Sequence, residues 1–452
     1  MFNPTKKDRS GATLDSDKQS SQVRNPDLKS GGLSRRYVWL LPVVFITYSP
    51  AYLDRANFGF GAAAGMGTTL GISEQQVSLL SSLFFVGYFL FQLPAAALVR
   101  RVGVRRIITV LLIAWGSCAT LMGLLRSFWL LCIDRVLLGA AEGLIFPAML
   151  FLLANWFIRS ERGRANALLI LGNPVTVLWM SIITGYLVQR FGWQATFVVE
   201  GLPAVLWAGV WWFVVRDKPT QAPWMPRAAA ESLEEVIAAE QASVPPVGSI
   251  LEAFRRPDVI LLSAQYFCWS LGIYGFVLWL PAIVREGASL SMGRTGVLSG
   301  TPYLVAIVAM IATSTISDRT GRRELLVWPS LMVASVALFV SYLVAGRSFP
   351  LAFASLVVGG AAMYAPYGPF WAILPERIPR PAVAEVMTLI NSAGALGGFS
   401  GSYLVGWTRA ITGSSSVGFL LMAIALLCSS LLLLLLPKSR PSAADPPSKS
   451  YH

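Results

Sequence analysis

Histidine is almost absent from this 452-residue chain: the single copy, His452, is the last residue. A histidine relay and a histidine-based nucleophile set are thereby excluded. Charged residues are also scarce, at 13% against 55% hydrophobic, and the mean hydropathy is +0.61. A soluble domain needs more polar surface than that, so the composition is that of a polytopic membrane protein. The four cysteines, Cys118, Cys132, Cys268 and Cys428, all fall in apolar runs, with no metal-ligand spacing and no disulfide framework. Few carboxylates lie well inside apolar runs: Asp54, Asp134, Glu142 and Glu200. Neither an enzyme nor a metal or cofactor site is expected from such an inventory.

What is abundant is apolar length. Runs able to cross a bilayer as helices, about 20 residues each, occur near 37–59, 77–99, 107–125, 128–150, 165–188 and 195–215. They resume near 258–284, 297–316, 325–345, 350–374, 383–406 and 415–436. The expected fold is therefore all-α and integral to the membrane, with twelve transmembrane helices. Residues 1–36 are polar, without an apolar stretch ending in a small-residue cleavage site, and read as a cytoplasmic tail. A six-helix bundle over 37–215 and another over 258–436 flank a polar linker, 216–257, and 437–452 forms the second tail. Within the linker, Ala228 to Gln241 is acidic and helix-prone and is bracketed by prolines.

The net charge of +13 would fit a nucleic-acid partner, but its placement does not. Of the 36 Lys and Arg residues, 28 fall in the termini, the linker and the even-numbered loops. Six fall in the odd-numbered loops, and two, Arg55 and Arg135, lie inside helices. This is the positive-inside pattern, which places both termini and the linker in the cytoplasm. Short outer loops without a glycosylation acceptor fit a bacterial inner membrane.

The two halves echo each other. ALVRRVGVRR (97–106) joins the second and third spans, and TISDRTGRR (315–323) joins the eighth and ninth, with Arg100 and Asp318 in matching places. Glu161–Arg162 and Glu376–Arg377 precede Asn173 and Asn391, which again match in register. Two echoes in step argue for internal duplication, the pattern of secondary transporters whose sites lie between repeats at the midplane.

Charges at membrane depth rarely persist without a role, since each costs roughly 2.5 to over 10 kcal/mol. Asp54 and Arg55 are adjacent in AYLDRANFGF, and as helical neighbours they point about 100° apart. Arg135 and Glu142 share one face of the fourth span, about 10.5 Å apart along the axis. Each then needs a partner on another helix, and two exchanges fit: Asp54 with Arg135, or Arg55 with Glu142. A carboxylate that loses its arginine to an arriving anion takes up a proton more readily. Anion and proton binding then favour one another. An arginine grips a carboxylate bidentately and stays charged. Asn173 in LLILGNPVTVLWM and Asn391 in LINSAGALGG offer donor and acceptor groups inside spans. In MYAPYGPFWAILP (363–375), Tyr364, Tyr367 and Trp371 stand among prolines, and Tyr367 is taken as a pocket contact. The glycines of GAAAGMG (61–67) and GALGGFSGSYLVG (394–406) have no strand before them and no Lys-Ser/Thr after them, so they read as close helix packing.

DRTGRR after the eighth span, its degraded partner after the second, and the twelve-span layout resemble the major facilitator superfamily. YLDRANFGF, DRVLLGAAEGLIFPAM and WFIRSERGRANALL are similar to stretches of its anion:cation symporter family, which moves organic anions, often sugar acids, with protons. The resemblance implies the major facilitator fold, with H+ as coupling ion, no cofactor and a monomeric carrier. It implies proton coupling at Asp54 and Glu142, and substrate or gating roles at Arg55 and Arg135. Asn173 and Asn391 match positions that hydrogen-bond substrate hydroxyls, and Tyr52 and Tyr88 match pocket positions. Because Arg100 stands where the family has an aspartate, the gate is expected at Asp318, Arg319 and Arg322.

The leading expectation is import of a monoanionic sugar acid, 2-ketogluconate or a related aldonate or uronate, by proton symport with alternating access. Exchange of sugar phosphates would call for cations from both halves, and no second-half span carries one. A sugar-acid sensor would need an output domain, and none is recognisable here.

Overall fold

The computed structural model describes residues 35–242, 252, 254–378, 382–414 and 416–437; the tails expected over 1–36 and 437–452 lie mostly outside these. Twelve long helices follow one another, numbered α1 to α12. The first four are α1 (Leu41–Ala63), α2 (Glu74–Val102), α3 (Val104–Leu124) and α4 (Phe128–Trp156). Next come α5 (159–191) and α6 (193–214), a continuous helical stretch divided at Gly192. Beyond a linker helix, Arg227–Ala242, lie α7 (Pro257–Ala288), α8 (Met292–Thr320) and α9 (Glu324–Val344). The last three are α10 (Phe349–Arg377), α11 (Val383–Thr412) and α12 (Ser416–Leu434).

Gly192 has φ +79°, a conformation that L side chains rarely adopt, and it turns the chain from α5 into α6 without a loop. Two other helices break internally for a common reason. α4 is interrupted at Leu144, and α10 at Ala365–Pro366. Pro147 cannot donate to the carbonyl of Gly143, and Pro369 cannot donate to that of Ala365, so one turn opens in each. The two breaks occupy equivalent places in the two halves.

Large apolar side chains such as Val110, Leu206, Phe213 and Val308 are exposed along the helices, as a lipid-facing surface requires. Inside, close approach rests on small residues. A Cβ at Gly139 would stand 1.8 Å from the carbonyl oxygen of Phe84, so α4 lies directly against α2. The glycine run of α11 is packed in the same way: a Cβ at Gly397 or Gly401 would fall 2.2 or 2.1 Å from the carbonyl oxygens of Phe267 and Leu271 on α7.

The halves face each other through α1 with α7, α2 with α11, and α5 with α8. Bonds joining them gather at the middle and at the end remote from the linker. There Arg285 donates to the carbonyl of Ala63, Gly293 N–H donates to Gln189 at 2.8 Å, and Arg409 stands 4.0 Å from Glu74. At the linker end the ion pairs stay within one half. Arg36 pairs with Glu161 at 2.9 Å, Arg323 with Glu376 at 2.6 Å, and Arg377 with Glu324. The Glu-Arg echo of the sequence thus staples each half to itself, once in the first half and twice in the second. The linker helix buries Ala230, Leu233 and Ile237 and reaches Arg162 through Glu240 at 3.5 Å.

Candidate functional site

A cavity sits between the halves at mid-depth. The first half lines it with Tyr48, Tyr52, Arg55, Tyr88, Phe146, Ile170 and Asn173; the second adds Tyr266, Tyr274, Tyr367, Trp371 and Asn391. Helical spacing explains the grouping. Tyr48, Tyr52 and Arg55 fall at i, i+4 and i+7 on one face of α1, and Tyr367 and Trp371 at i and i+4 on α10. Phe146 and Tyr367 adjoin the two helix breaks, so backbone irregularity is spent where it borders the cavity.

Arg55 is the one cation in this lining. Its Nε donates to Glu142 Oε2 at 3.1 Å, its Nη2 stands 3.1 Å from the same oxygen, and its Nη1 donates to the Tyr274 hydroxyl at 2.8 Å. The guanidinium also lies over the rings of Tyr88 at 4.7 Å, Phe84 at 5.0 Å and Tyr52 at 5.3 Å. Ring faces attract a desolvated cation, so Arg55 stays charged at membrane depth by sharing itself among a carboxylate, a phenol and aromatic faces. Of the two pairings that the sequence allows, Arg55 with Glu142 is the one formed. Glu142 is 1% exposed, and among the described residues its Oε1 has no hydrogen-bond partner.

Asp54 and Arg55 diverge as helical neighbours must. Asp54 turns from the cavity into the first half, where it accepts from Trp115 Nε1 on α3. Among the described residues it forms no ion pair within 4 Å. Arg135, 1% exposed, is not among the lining residues. Its Nε donates to the Leu80 carbonyl at 3.1 Å, its guanidinium lies 4.7 Å from the Phe58 ring and 5.3 Å from that of Phe84, and among the described residues its Nη1 has no hydrogen-bond partner. Phe84 thus stands beside both buried arginines. Two like charges are kept apart by a ring that attracts each of them.

Asn173 and Asn391, matched in the repeat, meet across the cavity. Among the described residues, Asn173 Oδ1 and Asn391 Nδ2 are buried without hydrogen-bond partners. One is an acceptor and the other a donor, which suits a ligand rich in hydroxyls. Tyr52 and Tyr364 join the halves hydroxyl to hydroxyl at 3.1 Å, and Tyr266 stacks on Phe370 at 5.2 Å. Six of the seven residues expected at a substrate site, all but Arg135, line this one cavity. Tyr48, Phe146, Ile170, Tyr266, Tyr274 and Trp371 complete it and were not expected as contacts. Their signal was available for α1, as the i, i+4, i+7 spacing, and for α7, where Tyr266 and Tyr274 are eight apart on one face.

The gate candidates lie elsewhere. Asp318, Arg319 and Arg322 are exposed at the linker end of α8 and, among the described residues, form no ion pair. Their neighbour Arg323 is the one engaged, with Glu376.

Comparison with known proteins agrees with this architecture. The chain matches the Major Facilitator Superfamily family model over residues 44–402. It is 31% identical to a putative tartrate transporter of Agrobacterium vitis, across 94% of this chain and 96% of that one. A quinolone resistance transporter of Acinetobacter baumannii is also 31% identical, across 86% and 91%. In fold the chain is similar to a bacterial homolog of the human lysosomal transporter Spinster in an inward-facing, occupied conformation. That likeness has a TM-score of 0.69 and 17% identity and covers 89% of this chain and 96% of that one. A multi-pass helical protein with two echoed halves, a mid-depth cavity between them and this match over most of its length is a transporter, not an enzyme: the chain belongs to the Major Facilitator Superfamily.

Proposed function

We propose that this chain is a secondary transporter that carries a hydroxylated organic monoanion, of the sugar-acid type, together with protons. The observation that carries the proposal is Arg55. It is the one cation lining the cavity, and it is held by Glu142 on its own half and by Tyr274 on the other. A substrate carboxylate that enters competes for the guanidinium, and Glu142, released from it in a dry site, takes up a proton. Asn173 and Asn391 address the hydroxyls. A single lining cation suits one carboxylate better than a phosphate dianion. The tartrate transporter likeness supports an organic acid, and these residues are similar to those of the anion:cation symporter family.

Transport follows by alternating access. The halves are bonded at the middle and at the end remote from the linker, which supports an inward-open state with α1, α7, α5 and α8 as the closed gate. Asp318, Arg319 and Arg322 then wait for partners that they gain when the linker end closes. The Lys and Arg distribution supports a carrier in the inner membrane with both termini in the cytoplasm, working as a monomer.

A second reading, export of an aromatic acid, is favoured by the aromatic lining and by the quinolone resistance likeness. Proteoliposomes distinguish the two. Internal acidification driven by 2-ketogluconate, galactonate, rhamnonate or a hexuronate, and absent in Arg55→Ala, supports symport of a sugar acid. No acidification with any of these, but counterflow of an aromatic carboxylate, sinks it in favour of the second reading.

A further inference from the structure

Glu200 lies inside α6, eight residues beyond the Gly192 turn and so about 12 Å along the helix. It belongs neither to the cavity nor to any ion pair among the described residues. Its carboxyl forms a closed ring with two neutral side chains. Asn57 of α1 donates from Nδ2 to Glu200 Oε2. The Thr184 hydroxyl of α5 stands 2.7 Å from Glu200 Oε1 and 3.0 Å from Asn57 Oδ1. Asn57 and Thr184 are 2% and 1% exposed and Glu200 is half-buried, so the Thr184–Asn57 contact is shielded from water and the two contacts of Glu200 are partly so.

Three contacts in a ring need three hydrogens. The Thr184 hydroxyl supplies one. The Asn57 amide has two, but both sit on one nitrogen, which faces one neighbour, so it serves one contact. The third hydrogen has one available source, the carboxyl of Glu200. Reversing the Asn57 amide does not alter the count: the ring then runs the other way and again lacks one hydrogen unless Glu200 is an acid. With Glu200 ionised, two oxygen acceptors would stand face to face in a buried site, a costly arrangement.

We propose that Glu200 is a proton-binding site of this chain, held as a neutral carboxylic acid by Asn57 and Thr184 in the conformation seen here. In that state Glu200 Oε1–H donates to Thr184, Thr184 donates to Asn57 Oδ1, and Asn57 Nδ2–H donates to Glu200 Oε2. The charged side chain that acts on it from the packed helices is Asp54, one turn before Asn57 on α1. At this level α5 presents Thr184, and α3 presents Gly116 and Thr120 to Gly201. Neither offers a cation to hold a carboxylate. The inference rests on a count of hydrogens and is independent of which substrate the cavity takes.

Infrared spectroscopy of the full-length protein in lipid tests it. Wild type at neutral pH should show a protonated-carboxyl C=O band that Glu200→Gln removes. Because a glutamine supplies the same donor and acceptor to the ring, Glu200→Gln should keep the wild-type melting temperature. On raising the pH, the wild type should lose stability as the acid ionises and the ring opens, while Glu200→Gln holds. Identical carboxyl spectra for wild type and Glu200→Gln at neutral pH would overturn the proposal. Should Glu200→Gln not fold, Thr184→Val serves instead. It keeps the acid but removes its acceptor, so the band should move to higher frequency, and an unmoved band also overturns the proposal.

Discussion

The two halves share a fold and divide the chemistry. The first buries Asp54, Arg55, Asp134, Arg135 and Glu142 within its helices. In the second, the buried charge among the described residues is Asp258, at the first turn of α7, where it pairs with Arg256 at 2.9 Å. At the cavity the second half answers with neutral groups: Tyr266, Tyr274, Tyr367, Trp371 and Asn391. The backbone devices are common to both halves, as the α4 and α10 breaks and the Asn173–Asn391 match show. The charges were kept in one half. A buried charge must carry its partner with it, so confining the buried network to the first half would let the second move without separating buried ions. At the cavity, a rocking of the halves would part the Arg55–Tyr274 bond, a charge-assisted bond to a neutral phenol and far cheaper to break than a buried ion pair; at the end remote from the linker the partly exposed Arg409–Glu74 contact would part as well.

That division can be tested from its strongest point down. Arg55→Ala should abolish substrate binding and leave Glu142 buried without its cation, a destabilisation of about 3–5 kcal/mol if the carboxylate stays charged. Isothermal binding and thermal melts read both effects, and a variant that binds normally would remove Arg55 from the site. Arg55→Lys should rescue folding more than affinity, because an ammonium cannot hold Glu142 and a second carboxylate in one plane. Gly401→Val tests the second half as scaffold. With the Leu271 carbonyl 2.1 Å from the new Cβ, α7 and α11 must separate, and the yield of folded protein should fall sharply. Tyr274→Phe removes the inter-half bond alone. A hydrogen bond to a charged group is worth about 1.5–3 kcal/mol, so the balance between states should shift by roughly 10-fold or more toward separated gates, read by cysteine accessibility. Asn173→Ala and Asn391→Ala should each weaken a polyhydroxylated acid by about 5-fold, near 1 kcal/mol, and leave an acid without hydroxyls unaffected. Asp318→Asn, on an exposed and unpaired side chain, should change stability by less than about 0.5 kcal/mol. A larger loss of transport rate would mark it as a gate that engages only in the other state.

How far the sequence carried the reading can be seen residue by residue. The spans were legible because apolar length is a local property; the expected 258–284 and 383–406 are the cores of α7 and α11. The linker helix expected over Ala228 to Gln241 is found at Arg227–Ala242. Arg55, Glu142, Asn173 and Asn391 stood out because polar groups at membrane depth are rare. Tyr48, Tyr266 and Tyr274 did not, since an aromatic inside a span is ordinarily packing. Only the crossing of α1 with α7 makes Tyr274 a partner of Arg55. Arg135 shows the converse. It was as conspicuous in sequence as Arg55, yet α4 turns it toward Leu80, Phe58 and Phe84 and away from the cavity.

By itself, then, the sequence determined that this chain crosses a bilayer twelve times in two echoed sets, and it singled out four ionisable side chains at membrane depth in α1 and α4. Hydrophobic length, charge asymmetry and rarity are all written along one dimension. The tertiary structure decided which of the two available ion pairs forms, which arginine meets the cavity, and that Glu200 shares a ring with Asn57 and Thr184. Those outcomes depend on the angles at which glycine-lined helices cross. A rotation of one residue, 100° on a helix, exchanges Asp54 for Arg55 at the same point in space.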